Sequence, residues 1–428
     1  MLGRLRSLFQ TKQEFADPYE QFVVAFVEEC RRQGLKLSSY DHQRRLFFFE
    51  DIGGGEVTVY LENCFRHWQG QDEQTRVDIL NRFVRSAFEA TTSSGAAPPL
   101  AELMPGVRSH ALISNVLIQN REPPGPTGNE AEIAWAPLCG DLVSIVNHDR
   151  PDTLTPLARG VLAGADLSFD EAMKHAMANL RARISAPSFE RYSNLEGMFV
   201  CENLTDFQSS LLLLTPGADF RFPALRGDPI ALVPSRNQFF VTGSQDPAGL
   251  EFLMDLADAA RQDPHFLSSS LVAWRDGRWT NFKLKAGSEQ AAKQRLIEMR
   301  DLGLDYEDQK NLLDRLHAEQ NNDVFVSNFM AVHPRPGSEF SITFLSSGST
   351  DTLLPKADRI RFLRQAVDAK TGIALAQEAD VVEATWADAM EIAGSMFEPV
   401  AGQYPERYRV PRFPEAEMWS RLKERALS

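Results

Sequence analysis

An α+β fold, mainly antiparallel sheets with packed helices in two or three domains, is what this sequence predicts, and three observations predict it. The strand-like runs between residues 197 and 242 are joined by short connections containing Pro216, Gly217, Gly227, Asp228 and residues 234–237. Such links close hairpins and are too short for the helical crossovers that parallel strands need. Helical patterns with their own start and stop signals flank these strands instead of alternating with them. At 428 residues the chain exceeds the roughly 250 to 300 at which one core usually divides.

Residues 15–92 read as a helix–hairpin–helix module. Asp17 and Pro18 open a helix whose Phe22, Val23, Phe26, Val27 and Cys30 recur at helical spacing, with Gly34 just past its end. Residues 45–50 and 57–61 are aromatic and β-branched runs on either side of Gly53, Gly54 and Gly55, which predicts a hairpin. A phosphate-binding loop would need a helix after the glycines, and a strand follows. Phe65 and Trp68, then Val77, Leu80, Phe83, Val84 and Ala87, mark one or two amphipathic helices, and residues 91–99 read as an exposed linker.

Residues 100–262 read as a central α+β domain. A strand is expected at 111–118, a loop at 122–129, and an apolar strand ending at Val146. The next helix is the plainest element of the chain. Ser168 and Glu171 form a capping box, Asp170 and Glu171 suit the positive end of the helix dipole, and Arg181 and Arg183 suit its negative end. Phe169, Ala172, Met173, Ala176, Met177 and Leu180 share its apolar face. Strands at 197–201, 208–214, 230–233 and 238–242 supply the sheet, and a helix over 248–260 turns Leu250, Leu253, Met254 and Ala257 inward.

Residues 264–428 read as a C-terminal α+β domain. Strands at 271–274 and 279–284 flank a hairpin turn at 275–278, and two helices follow at 289–301 and 306–319. Strands at 324–332, 340–345 and 359–363, a helix near 386–397, a proline-rich segment and a short last helix complete it. A faint echo between 206–240 and 324–361 suggests an internal repeat, which a shared strand order would establish.

Composition narrows the function classes. With 43% hydrophobic and 24% charged residues the chain has material for a packed core, and 45 basic against 59 acidic residues argue against general nucleic-acid binding. Cys30, Cys64, Cys139 and Cys201 lie far apart without a C-x-x-C pair, so buried reduced thiols of a cytosolic protein are expected. The start alternates Arg4, Arg6 and Lys12 with Leu2, Leu5, Leu8 and Phe9, a short basic amphipathic pattern without the apolar run of an export signal. No stretch approaches the ~18 apolar residues of a membrane span.

Residues 59–65, 138–146, 170–181 and 233–237, in that order and spacing, together resemble the YtpQ-like family, a domain of unknown function. The resemblance covers roughly residues 15–262 and stops before the C-terminal region. It implies a bacterial, cytoplasmic, soluble protein of uncharacterised activity and transfers no catalytic residue. The family more often has Asp where this chain has Asn237.

No reaction-specific motif is present. The eight histidines show no H-x-x-x-H pairing, and G-x-S-x-G, P-loop and G-x-G-x-x-G patterns are missing, so no cofactor and no metal is expected. The best polar constellation joins Asn179 and Arg181, at the end of the capped helix, to Asp141, Asp228, Ser235, Arg236 and Asn237 at strand ends. Arg236 suits an anion held bidentately, with Asn179 orienting it and a buried Asp228 as a base. The plainer reading, which we favour, makes Asp228 and Asn237 turn formers, Arg181 a helix-end charge and Asn179 a cap. Phe47–Phe49 and Phe239–Phe240 suit either a partner surface or a covered core. The functional expectation is a non-enzymatic binding or interaction protein with a protein partner, its oligomeric state open. The alternative is a hydrolase using Asp228, Ser235 and Arg236.

Overall fold

The computed structural model describes residues 17–41, 46–50, 56–92, 98–119, 132–150, 154–192, 195–263, 265–335, 337–349, 351–367 and 374–427. The basic N-terminal pattern, the glycine turn at 53–55, the loop at 122–129 and most of the linker at 91–99 lie outside them. The fold is α+β, with ten α-helices and mostly antiparallel strand pairs among the described residues. It divides into two compact units, Met1–Met104 with Val146–Leu180, and Pro105–Ile145 with Arg181–Ser428. The division runs through the strand Leu142–Asp149 and the last turn of the helix Phe169–Arg183.

In the first unit, Asp17 caps the helix Pro18–Arg32 by accepting from the Tyr19 amide at 2.8 Å, and Gly34 leaves it at a φ of 83° that favours glycine. The expected hairpin strands, Leu46–Glu50 and Glu56–Tyr60, are paired antiparallel. A third strand, Leu37–Asp41, adds to their edge; it is too polar to read from pattern, since an edge strand is held by backbone bonds as much as by burial. Phe22, Phe26, Phe47, Phe49, Leu61, Cys64 and Val84 are fully buried together, so Phe47 and Phe49 belong to this core and not to a partner surface. The capping box forms as expected: Glu171 N donates to Ser168 Oγ at 3.2 Å, and Ser168 N donates to the Glu171 carboxylate at 2.9 Å. Ala172, Ala176, Met177 and Leu180 are the buried face of that helix.

The second unit holds a six-stranded antiparallel sheet in the order Arg278–Asn281, Val272–Arg275, Pro229–Leu232, Phe240–Gly243, Phe199–Cys201, Phe189–Arg191. The helix Pro247–Ala260 lays Leu250, Leu253, Met254 and Ala257 on Ile230, Leu232, Phe240 and Ala273. Phe239 is likewise fully buried. Val272 and Ala273 pair with Ala231 and Ile230, so the hairpin assigned by sequence to a separate domain after residue 264 completes the central sheet. Its turn, Asp276 and Gly277, has φ of 50° and 75°, the two left-handed residues of a tight hairpin.

Several elements differ from expectation, among them the strand expected at 324–332, which is two, Phe325–Val326 and Phe329–Val332, and the unexpected strand Ala374–Thr385. Residues 111–118 are helical, within His110–Gln119, because a short apolar run buried on most sides carries no period that separates strand from helix. The run expected as a strand at 208–214 is a 3-10 helix, Thr205–Leu213, whose Leu211 and Leu212 are buried without any ladder. The two helices expected between 289 and 319 are one, Glu289–Glu319, capped by Ser288. Beyond it stand two four-stranded sheets, each with one parallel pair, over a core that includes Leu354, Ile360, Phe362, Ala384 and Leu422. That order differs from the central sheet, and the 3-10 helix at 205–213 faces strands at 325–332 in the alignment of the two halves. The internal echo is therefore a resemblance between apolar runs and not a structural repeat.

Candidate functional site

The residues singled out by sequence are held in separate local roles. In the first unit Asn179 donates to the carbonyls of Leu100 and Leu103 at 2.7 and 2.9 Å, closing the backbone at the start of a strand. In the second unit Arg181 grips Asp219 with two parallel bonds of 2.8 and 3.1 Å, and this guanidinium holds the Asp219 carboxyl below its ordinary range. Asp228 is half exposed and accepts from Arg275 Nε at 2.6 Å, so it lacks the burial that would make it a base. Ser235 is buried, but its hydroxyl donates to Gln238 Oε1 at 3.1 Å. Asn237 is an exposed turn residue. No contact joins Ser235 to Asp228 among the described residues, and the serine hydroxyl is engaged with an amide and not with a base.

Arg236 has a different environment. Ser235 bridges Phe266, and Leu267 N donates to the Pro234 carbonyl at 2.8 Å, which draws the chain after Asp263 alongside the Arg236 turn. Arg236 Nη2 donates to His265 Nδ1 at 2.5 Å. A guanidinium has no acceptor, so the ring nitrogen accepts in this contact. His265 is itself set by its amide, which donates to Asp263 Oδ1 at 2.6 Å.

Arg108 is the residue that sequence reading missed. It lies on the strand Leu103–Ser109, all seven residues of which are buried, and is itself 8% exposed. Among the described residues its one side-chain bond runs from Nη1 to the adjacent Val107 carbonyl at 2.8 Å. Burial pushes its pKa down to about 9, and the charge that adds to this effect is a second cation, Arg236. Among the described residues no carboxylate is bonded to Arg108. Arg407, 1% exposed, shows how a structural arginine is accommodated in the same unit: it donates to Gln309 Oε1 and to the carbonyls of Ser327, Leu353 and Tyr306 at 2.5 to 3.2 Å. Arg108 has one such acceptor out of the several that five N–H donors can use. The signal available in sequence was a lone arginine between Val107 and Ser109 in an otherwise apolar run, and assigning the strand to 111–118 hid it.

A second buried polar region lines one face of the long helix Glu289–Glu319, where Gln294, Glu298, Asp301, Asp305 and Gln309 recur at helical spacing. Asp305 accepts from Arg261 at 2.8 Å, yet burial outweighs this partner and raises the carboxyl to about 7. Asp141, which accepts from Ser268 Oγ at 2.6 Å, is raised by burial in the same direction. His110 stacks on Tyr404 with ring centroids 4.3 Å apart. All four cysteines are buried free thiols, and burial raises each above the ordinary thiol range, so none is poised as a nucleophile. Among the described residues no group of three or more His, Cys, Asp or Glu side chains is placed to hold a metal ion, and no helix is long and apolar enough to cross a membrane. No family model, no curated protein and no solved structure matches the chain.

Proposed function

We propose that the chain is a non-catalytic binding protein whose central site takes an anionic group, a carboxylate or phosphate, between Arg108 and Arg236. The observation that carries this reading is Arg108: a buried guanidinium with one carbonyl partner, beside a second cation. Burying a cation without a counter-charge costs several kcal/mol, so an arginine placed this way is matched to an anion supplied from outside the chain. A guanidinium offers the planar pair of donors that a carboxylate or phosphate accepts bidentately. His265 holds Arg236 at the same site.

The hydrolase alternative has less support, since Ser235 and Asp228 are engaged by Gln238 and Arg275. The YtpQ-like resemblance of residues 15–262 supports a bacterial, cytoplasmic setting, as do four buried thiols that need no oxidising compartment. The anion then belongs to a small metabolite or to an acidic group on a protein partner. Titration calorimetry with inorganic phosphate, acetate and citrate tests the site directly. Binding of at least one of them, lost in Arg108→Met, is the expected result; no heat with any of the three, or unchanged binding in the variant, refutes it.

A further inference from the structure

The Arg236 side of the arginine pair is held by a segment whose two ends are tied to carboxylates. That segment follows the helix Pro247–Ala260 and is described at residues 261–263 and 265–268. At its start, Arg261 donates to Asp305 Oδ1 at 2.8 Å, lies 3.6 Å from the Asp308 carboxylate, and sets its guanidinium 4.9 Å over the Phe266 ring. In its middle, Phe266 bridges Ser235, Leu267 N donates to the Pro234 carbonyl, and His265 Nδ1 accepts from Arg236. At its end, Ser268 Oγ donates to Asp141 Oδ1 at 2.6 Å. Arg236 is thus joined to the long helix Glu289–Glu319 through His265, Phe266, Arg261 and Asp305 in turn, all within the second unit.

Each link constrains the next. The side chains of Arg261 and Asp305 are 18% and 15% exposed, so their contact is shielded from the screening that weakens surface pairs. A guanidinium seated on an aromatic face restrains the ring as well as itself. With Phe266 restrained, the neighbouring imidazole of His265 is set where it meets Arg236. The Asp305 carboxyl decides how firmly this holds. Burial opposes its ionisation more strongly than Arg261 favours it, and like charges at Asp141 and Asp308 add to the opposition. Tyr404 lies in the field of both Asp141 and Asp305, and burial holds its phenol neutral. An ionised Asp305 is therefore better met by water than by this packing, which favours arrangements with Arg261 and Phe266 lifted from the long helix.

We propose that Asp305 and Arg261 are positioning residues of the anion site: with Asp305 protonated the segment is seated and presents Arg236 to the anion, and with Asp305 ionised the segment loosens and the anion is released. This rests on the arginine-pair reading of the site and adds proton control to it. The sign follows from linkage, because the seated arrangement keeps a proton that a hydrated carboxyl gives up, so rising pH works against it.

Calorimetry of the full chain with sulfate and acetate, which stay ionised throughout, tests this at pH 6 and pH 8. Wild type is expected to bind about threefold to tenfold more weakly at pH 8, the upper figure being the limit for one proton released near pH 7. Asp305→Asn keeps an acceptor for Arg261 and has no proton to lose, so it carries the pH 6 affinity to pH 8. Arg261→Met unseats the segment and weakens binding at both values, with thermal melting to show that each variant is folded. Without any anion, the Arg236 Nε–H NMR signal, assigned by its loss in Arg236→Lys, shifts over the same interval in wild type and stays in place in Asp305→Asn. If neither anion gives heat while that signal still follows Asp305, the anion reading fails and the positioning stands. If an anion binds and is lost in Arg108→Met, but the pH slope survives Asp305→Asn or Arg261→Met binds like wild type, the site stands and the positioning is overturned.

Discussion

Arg108 and Asp305 are two buried charged groups whose costs the fold carries for different reasons, and each leads to a measurable outcome. Replacing Arg108 by methionine removes an unneutralised buried cation while keeping much of its volume. Arg108→Met is therefore expected to raise stability by about 1–3 kcal/mol in urea unfolding while removing anion binding. A destabilised variant would mean that the Val107 contact and packing outweigh the buried charge. Asp305 acts through pH. Its carboxyl is raised from an ordinary 3.8 to about 7, so between those values the folded chain holds a proton that the unfolded chain has released. Stability carried by this group is present at the acid end of that window and falls as pH rises through it. Unfolding midpoints of wild type and Asp305→Asn, compared from pH 4.5 to 7.5, should diverge by about 1–3 kcal/mol across the range, with wild type losing ground as pH rises. Parallel curves would place the Asp305 carboxyl at its ordinary value. Neither environment was readable from sequence, because what surrounds Arg108 and Asp305 comes from Arg236, Asp141 and Arg261, all distant in the chain.

The capped helix Phe169–Arg183 is the element that sequence described most fully, and its behaviour under mutation follows from that description. Ser168→Ala removes the acceptor of the Glu171 amide and should cost about 1 kcal/mol in urea unfolding. Met177→Asp places a charge without a partner on the buried face and should cost several kcal/mol; a loss no larger than that of the exposed Lys174→Asp would show that the face is misassigned. The helix could be read because its cap, dipole charges and apolar face are all local and agree with one another. His110–Gln119 and the 3-10 helix Thr205–Leu213 lack such agreement. Both are short apolar runs without a cap signal, so burial alone is compatible with either periodicity and the packing around them decides.

The six-stranded sheet of the second unit has the clearest consequence for dividing the chain. Because Val272 and Ala273 supply the partners of Ala231 and Ile230, ending the chain at residue 262 strips one edge of Pro229–Leu232 of its hydrogen bonds. Fragment 1–262 is thus expected to aggregate on expression, since the exposed apolar edge of a central strand is a template for pairing with other chains. A soluble monomer with a cooperative melt would show that residues 1–262 stand alone. Asp263 and Pro264 look like a linker because turn residues and linkers share a composition, and composition does not record which strand the next segment will meet. What the sequence determined by itself was the α+β class, the capped helices, the glycine-dependent turns at Gly34 and Gly277, and the buried thiols. Each of these follows from interactions within a few residues or from the bulk tendency of apolar groups to leave water. Only the tertiary structure decided that the hairpin after residue 264 joins the central sheet, that Ser235 and Asp228 have separate partners, that Arg236 meets His265 and its charge is felt at Arg108, and that His317 and Gln403 line one cavity. These are contacts between distant parts of the chain, fixed by backbone pairing and side-chain packing that no local pattern encodes.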